Sequence, residues 1–107
     1  MIQFEVGWFY IINVKWGNWR AGQYKDTKVA VEATDTVELL KCKMRAYTDR
    51  STVPEGIPPS LQRMTFKGRS LEDRRTLGSY NIVSGSDVYM SWDQAELQVY
   101  VNEGWAD

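Results

Sequence analysis

The chain has 107 residues, of which 43% are hydrophobic, and a formal net charge of -1. That length suits one domain around one core, and the charge balance excludes a global polyanion or polycation. With no histidine and one cysteine, the commonest general base is excluded. So are Ser-His and Cys-His nucleophile pairs, imidazole zinc sites and an internal disulfide. No carboxylate pair has a spacing that demands catalysis. The expectation is no enzyme, no cofactor, no metal and no small-molecule substrate. The opening MIQFEV lacks a basic leader, and FYII is too short to span a bilayer. A soluble intracellular domain, cytoplasmic or nuclear, with no membrane partner is expected. Charge is uneven along the chain: residues 37–75 hold nine basic and five acidic side chains, and residues 76–107 hold five acidic and no basic ones.

Ile2, Phe4, Val6, Trp8, Tyr10, Ile12, Val14 and Trp16 alternate with other residues, a strand period. Gly17-Asn18 then offers two residues that tolerate positive φ, as a tight hairpin turn needs. The predicted return arm runs over 19–33 and ends with Val29 and Val31 on one face. In that register Trp16 faces Trp19, Phe4 faces Val31 and Val6 faces Val29. A bulge is expected near Gly7 or Gly22. A second register starts the first strand at Tyr10 and leaves residues 1–9 as a separate segment.

Thr34-Asp35-Thr36 carries helix N-cap chemistry. Val37, Leu40 and Met44 follow at helical spacing, with Lys41, Lys43 and Arg45 interleaved as solvated positions. Cys42 is expected as a buried, reduced thiol. The helix should fade before Pro54, and GIPP at 56–59 reads as a stop and turn. RMTFK at 63–67 reads as a short strand with Met64 and Phe66 on one face. Gly68-Arg69 reads as a turn and Ser70-Leu71 as a very short strand. Val88, Met90 and Trp92 alternate in a last buried strand, and Leu97, Val99 and Val101 alternate again. Hairpin, helix, short strands and final strand together are an α+β order.

The motifs narrow this further. TDTVELLKCKM, followed by EGIPPSLQRMTFKGRSLEDRRTLGSYNI, closely resembles the ubiquitin family over about residues 28–92. The run of EGIPP, QR, F-x-G, LED, RTL and YNI at these spacings is specific. The resemblance implies a β-grasp fold. It implies that Val37, Leu40 and Met44 face the sheet and that Lys41 is held close to the body of the domain. Met64, Phe66, Leu71, Leu77, Ile82, Val88 and Met90 would fill core or near-core positions. The Tyr80 hydroxyl would bond back to the backbone near Glu72.

The resemblance also implies two working features, from which this chain departs. The family is conjugated through a Gly-Gly that follows its last strand, yet VYMSWDQAEL occupies that stretch, with Glu96 and Leu97 where the glycines belong. Conjugation through this segment is therefore not expected. The family is read through a small apolar patch, but Thr65 stands at its central isoleucine, Tyr89 at its histidine and Ser91 at its valine. Arg69 stands at the principal chain-linking lysine and Ser84 at another.

One domain over 1–107 is expected. It comprises an extended hairpin (1–33), the helix with the remaining grasp strands (34–92), and a tail (93–107) that adds a strand beside the hairpin, capped by Trp105. Two surfaces are candidates for a partner. Trp8, Trp16 and Trp19 would form an aromatic arm, with Trp16 and Trp19 closing the hairpin and anchoring an interface. Arg63, Lys67, Arg69, Arg74 and Arg75 would form a basic face: a solvated rim, or a docking site for an acidic protein or RNA, with Tyr89 available to stack a base. The leading expectation is a non-conjugated protein-interaction module or adaptor whose partner the residues do not identify. The alternative is an RNA-binding module, followed by a conjugated modifier.

Overall fold

The computed structural model describes residues 9–18, 23–48 and 56–103. In chain order the elements are β1 (Phe9–Asn18), β2 (Gln23–Glu32), α1 (Val37–Arg45), β3 (Arg63–Phe66), β4 (Arg69–Ser70), β5 (Asp87–Ser91) and α2 (Gln94–Asn102). Single 3-10 turns occupy Pro59–Leu61 and Gly78–Tyr80. The sheet order is β2-β1-β5-β3-β4, with β1 and β5 parallel at its centre and the other pairs antiparallel. With α1 on one face, this is an α+β fold of the ubiquitin-like β-grasp type.

The first hairpin corrects the leading register. Tyr10 pairs with Val31, Ile12 with Val29, and Trp16 with Lys25 rather than Trp19. Gly17 and Asn18 are strand residues opposite Tyr24 and Gln23, not the turn. The second register, with the strand entered near Tyr10, is the one formed, and β1 and β2 pair continuously from Phe9–Glu32 to Asn18–Gln23. The physical reason is parity. Val29 pairs six residues further along than expected, and an even slip keeps every side chain on its own face. Alternation alone could not separate the two registers. The neighbouring strand decides: Val14 lies beside Val88 and Trp16 beside Met90, and the Tyr10 hydroxyl donates to the Ile82 carbonyl at 2.6 Å. Trp8, Trp19, Trp105 and the expected bulges at Gly7 or Gly22 lie outside the described residues.

Ile12, Val14, Trp16, Val29 and Val31 face α1, which returns Val37, Leu40 and Met44; with Met64, Leu77, Val88 and Met90 they form the main core. Thr36 caps α1, its hydroxyl accepting from the Leu39 amide at 3.2 Å. The 72–76 loop wraps this end of the helix: the Arg75 carbonyl accepts from the Val37 amide at 3.0 Å. Lys41 is buried and donates to Asp73 at 2.6 Å, as the resemblance implied and against its reading as a solvated position. Cys42 is exposed, not buried, because it lies off the face that carries Val37, Leu40, Lys41 and Met44. Beyond α1, Gly56 has a φ of 84°, and a Cβ there would stand 2.0 Å from the Arg45 carbonyl oxygen. Only glycine fits.

Phe66 pairs with Arg69 across a two-residue turn at Lys67-Gly68, both with positive φ (54° and 78°). The turn is thus one residue earlier than expected and β4 begins at Arg69. Tyr80 behaves as expected: its hydroxyl accepts from the Glu72 amide at 2.8 Å.

The expected C-terminal strand is a helix. The Asp93 carboxylate caps α2, accepting from the amides of Ala95 (2.8 Å) and Glu96 (3.2 Å). Leu97, Tyr100 and Val101, at helical spacing, join Ile57 and Leu61 in a second, smaller apolar cluster. Val99, read as part of an alternating strand with Leu97 and Val101, is 53% exposed. Trp92 packs against both clusters.

Candidate functional site

The outer face of the sheet is polar. Arg63 and Thr65 on β3 stand opposite Ser91 and Tyr89 on β5, and Tyr89 stands beside Lys15 on β1. Because each pair shares a pleat, these side chains leave the sheet on the side away from Met64 and Met90. Two cross-strand ladders cover the rest. Lys15 donates to Asp26 at 2.9 Å. Lys28 donates to the Asn13 side-chain oxygen at 2.9 Å, and the Asn13 amide donates to Asp87 at 3.1 Å. The bond to Asp26 is the first cause that holds the Lys15 ammonium above its ordinary pKa of 10.5. None of these five residues was singled out from the sequence. Only the corrected register aligns them, so the signal was present but unusable without it.

Tyr89 is 43% exposed and overlooks a shallow groove of about 310 Å³ lined by Phe66, Lys67, Asn81, Val83, Ser86 and Asp87. Val83 is 60% exposed there. The groove is therefore part apolar wall and part mixed charge.

The remaining candidates divide. Trp16 is 4% exposed; its indole donates to the Thr27 hydroxyl at 2.8 Å and lies 6.2 Å from Trp92. It is a core residue and not the tip of an arm. The five basic residues do not share one face. Arg63 is on the outer face and forms an ion pair with Glu96 of α2 at 2.8 Å. Arg69 pairs with the inward-facing Phe66, and so leaves the sheet on the other side. There its guanidinium lies 5.3 Å from the centroid of Tyr80, and that of Arg75 lies 4.3 Å from the same ring. Lys67 sits over Phe66 at 5.3 Å. Arg74 is exposed in the loop beside Arg75.

A model of the Ubiquitin family matches residues 12–95. The chain belongs to the ubiquitin family. It is 35% identical over 66 residues to the NEDD8-like protein RUB3 of Arabidopsis thaliana, which covers 62% of this chain and 76% of that protein. It is 30% identical over 66 residues to ubiquitin-like protein NEDD8 of Dictyostelium discoideum (62% and 77%). It is 32% identical over 71 residues to NEDD8-like protein 2 of the same organism (66% and 80%). Membership accounts for Lys41, Tyr80 and the core. The same family motifs contain Arg75, in RTL, and Tyr80, in YNI. Among the described residues no group of three His, Cys, Asp or Glu side chains could hold a metal ion. No described helix is long and apolar enough to cross a membrane.

Proposed function

We propose that this chain acts as a non-covalent protein-interaction module of the ubiquitin family and is not itself conjugated. The observation that carries this reading is α2. Only Trp92 and Asp93 separate β5 from the helix, and Glu96 and Leu97 are inside it. A segment that enters an activating enzyme's channel must be extended and almost free of side chains, which is why glycines suit it. Here that stretch is capped by Asp93, and Leu97 is buried against Ile57. The sequence holds no adjacent pair of glycines. At the position of the family's apolar patch the outer face is polar, with Thr65, Tyr89 and Ser91. Readers of such a patch would lose their contacts here, so the partner is one adapted to this domain.

The test is charging. The purified chain is incubated with ATP and the activating enzymes of the source cells, then run on gels with and without thiol reductant. No reductant-sensitive adduct should form, while ubiquitin in a parallel reaction is charged. A thioester to this chain would overturn the reading.

A further inference from the structure

We propose that Arg69 and Arg75, mounted together on Tyr80, form a docking site for an acidic protein segment. The inference deepens the reading as an interaction module and rests on it. Tyr80 is 6% exposed and tied through its hydroxyl to the Glu72 amide, so its ring is a fixed platform. The backbone fixes the two arginines as well. Arg69 is in β4, and Arg75 is held where its carbonyl caps α1. A guanidinium stacked by one face keeps its N–H edge for a planar acceptor. Much of the ordering cost of a carboxylate contact is thus already met in the free protein.

Neither guanidinium forms an ion pair among the described residues. The contrast with their neighbours is informative. Arg63 is neutralised by Glu96 and Lys41 by Asp73. Asp73 is thereby spent, and Glu72 is the other carboxylate of the 72–76 loop, against Arg74 and Arg75. One Arg75 N–H reaches the Ser79 carbonyl at 3.4 Å, a long contact that leaves its other donors available. Arg74, next to Arg75 in the same loop, is exposed and adds charge. Both guanidiniums sit on one ring. They therefore present two cationic groups to one acidic segment.

RNA fits this site less well. A base reader offers an open aromatic face, but here guanidiniums cover the Tyr80 ring. The other accessible aromatic, Tyr89, lies on the opposite side of the sheet beside Asp87, whose charge repels phosphate.

The experiment uses the whole chain and a fluorescent synthetic peptide of alternating glutamate and serine. Its glutamine counterpart and a single-stranded oligouridylate serve as controls. Anisotropy is read at low and physiological salt. The glutamate peptide should bind and the glutamine peptide should not. R69Q and R75Q should each weaken binding about two- to fivefold, the scale of a single partly exposed ion pair. R63Q should leave it unchanged. Thermal melting checks that each variant is folded. R74E touches no described partner, and so tests the charge of the rim without disturbing the Tyr80 stack; it too should weaken binding. Equal binding of the two peptides, or indifference to all three rim variants, would overturn the proposal. So would oligouridylate displacing the glutamate peptide, or self-association that the rim variants abolish. None of these outcomes bears on thioester charging, so the two proposals fail separately.

Discussion

The two helices are each nine residues long, and they are held in different ways. α1 buries Val37, Leu40, Lys41 and Met44 in the main core, while α2 buries Leu97 alone. Most helical stability comes from such packing rather than from propensity. α1 is thus part of the domain's cooperative unit, and α2 is an attachment held by a small apolar cluster around Leu97, a cap and an exposed ion pair. The lesson is that a helix can be grafted onto this fold without altering the fold, provided that a small apolar cluster receives it.

The sharpest way to break the contrast is to cut each helix at its anchor. Leu40→Ala should cost about 2–5 kcal/mol, the usual range for a buried leucine. Thermal unfolding followed by circular dichroism should shift downward as one transition, by roughly 4–8 °C per kcal/mol. Leu97→Ala should cost less, about 2 kcal/mol, because the small cluster can relax. Its loss should fall on α2: amide exchange of residues 94–102 should accelerate while α1 stays protected. If both variants lowered the melting transition equally and accelerated exchange in both helices alike, the distinction would be gone.

Smaller effects refine it. Tyr10→Phe removes the bond to the Ile82 carbonyl and should cost about 0.5–1.5 kcal/mol, measured by urea unfolding. It should also change the pH profile. Burial, and then Asp35, raise the Tyr10 hydroxyl above its ordinary 10.0, so the folded state favours the neutral phenol. That contribution is complete below about pH 10 and is lost as pH rises through the folded-state value. The wild type should lose stability on alkalinisation, and Tyr10→Phe should lose less. Smallest of all is Glu96→Gln, which removes the partner of Arg63 on α2. Both side chains are well exposed, so salt and water screen the pair. The melting temperature should barely move, and added salt should erase any difference.

How much of this was legible depended on what fixes each element. α1, β3 and β5 followed from their periodicity and caps, while the buried Lys41 and the Tyr80 bond were implied only by the family resemblance. The hairpin register did not, since its two versions place the same residues inward. What separates them is a parallel neighbour, β5, more than seventy residues away in the chain. α2 was misread because Leu97, Val99 and Val101 satisfy a strand period, while the deciding facts were a cap at Asp93 and an apolar recess at Ile57. Of the candidate site, Thr65, Tyr89 and Ser91 were placed together correctly. The basic residues were grouped by count. Their division between Glu96 and Tyr80 depends on the pleat and on a helix that the sequence had hidden.

Trp92 packs against both apolar clusters, with its ring 6.2 Å from that of Trp16. The joint between domain and attachment is thus also a chromophore pair. Two indoles this close and tilted by 45° should couple their electronic transitions, giving a near-ultraviolet dichroic signal sensitive to their mutual orientation. Undocking α2 would reorient Trp92 while Trp16 stays fixed by Thr27. The protein therefore carries its own optical gauge of whether the helix is seated.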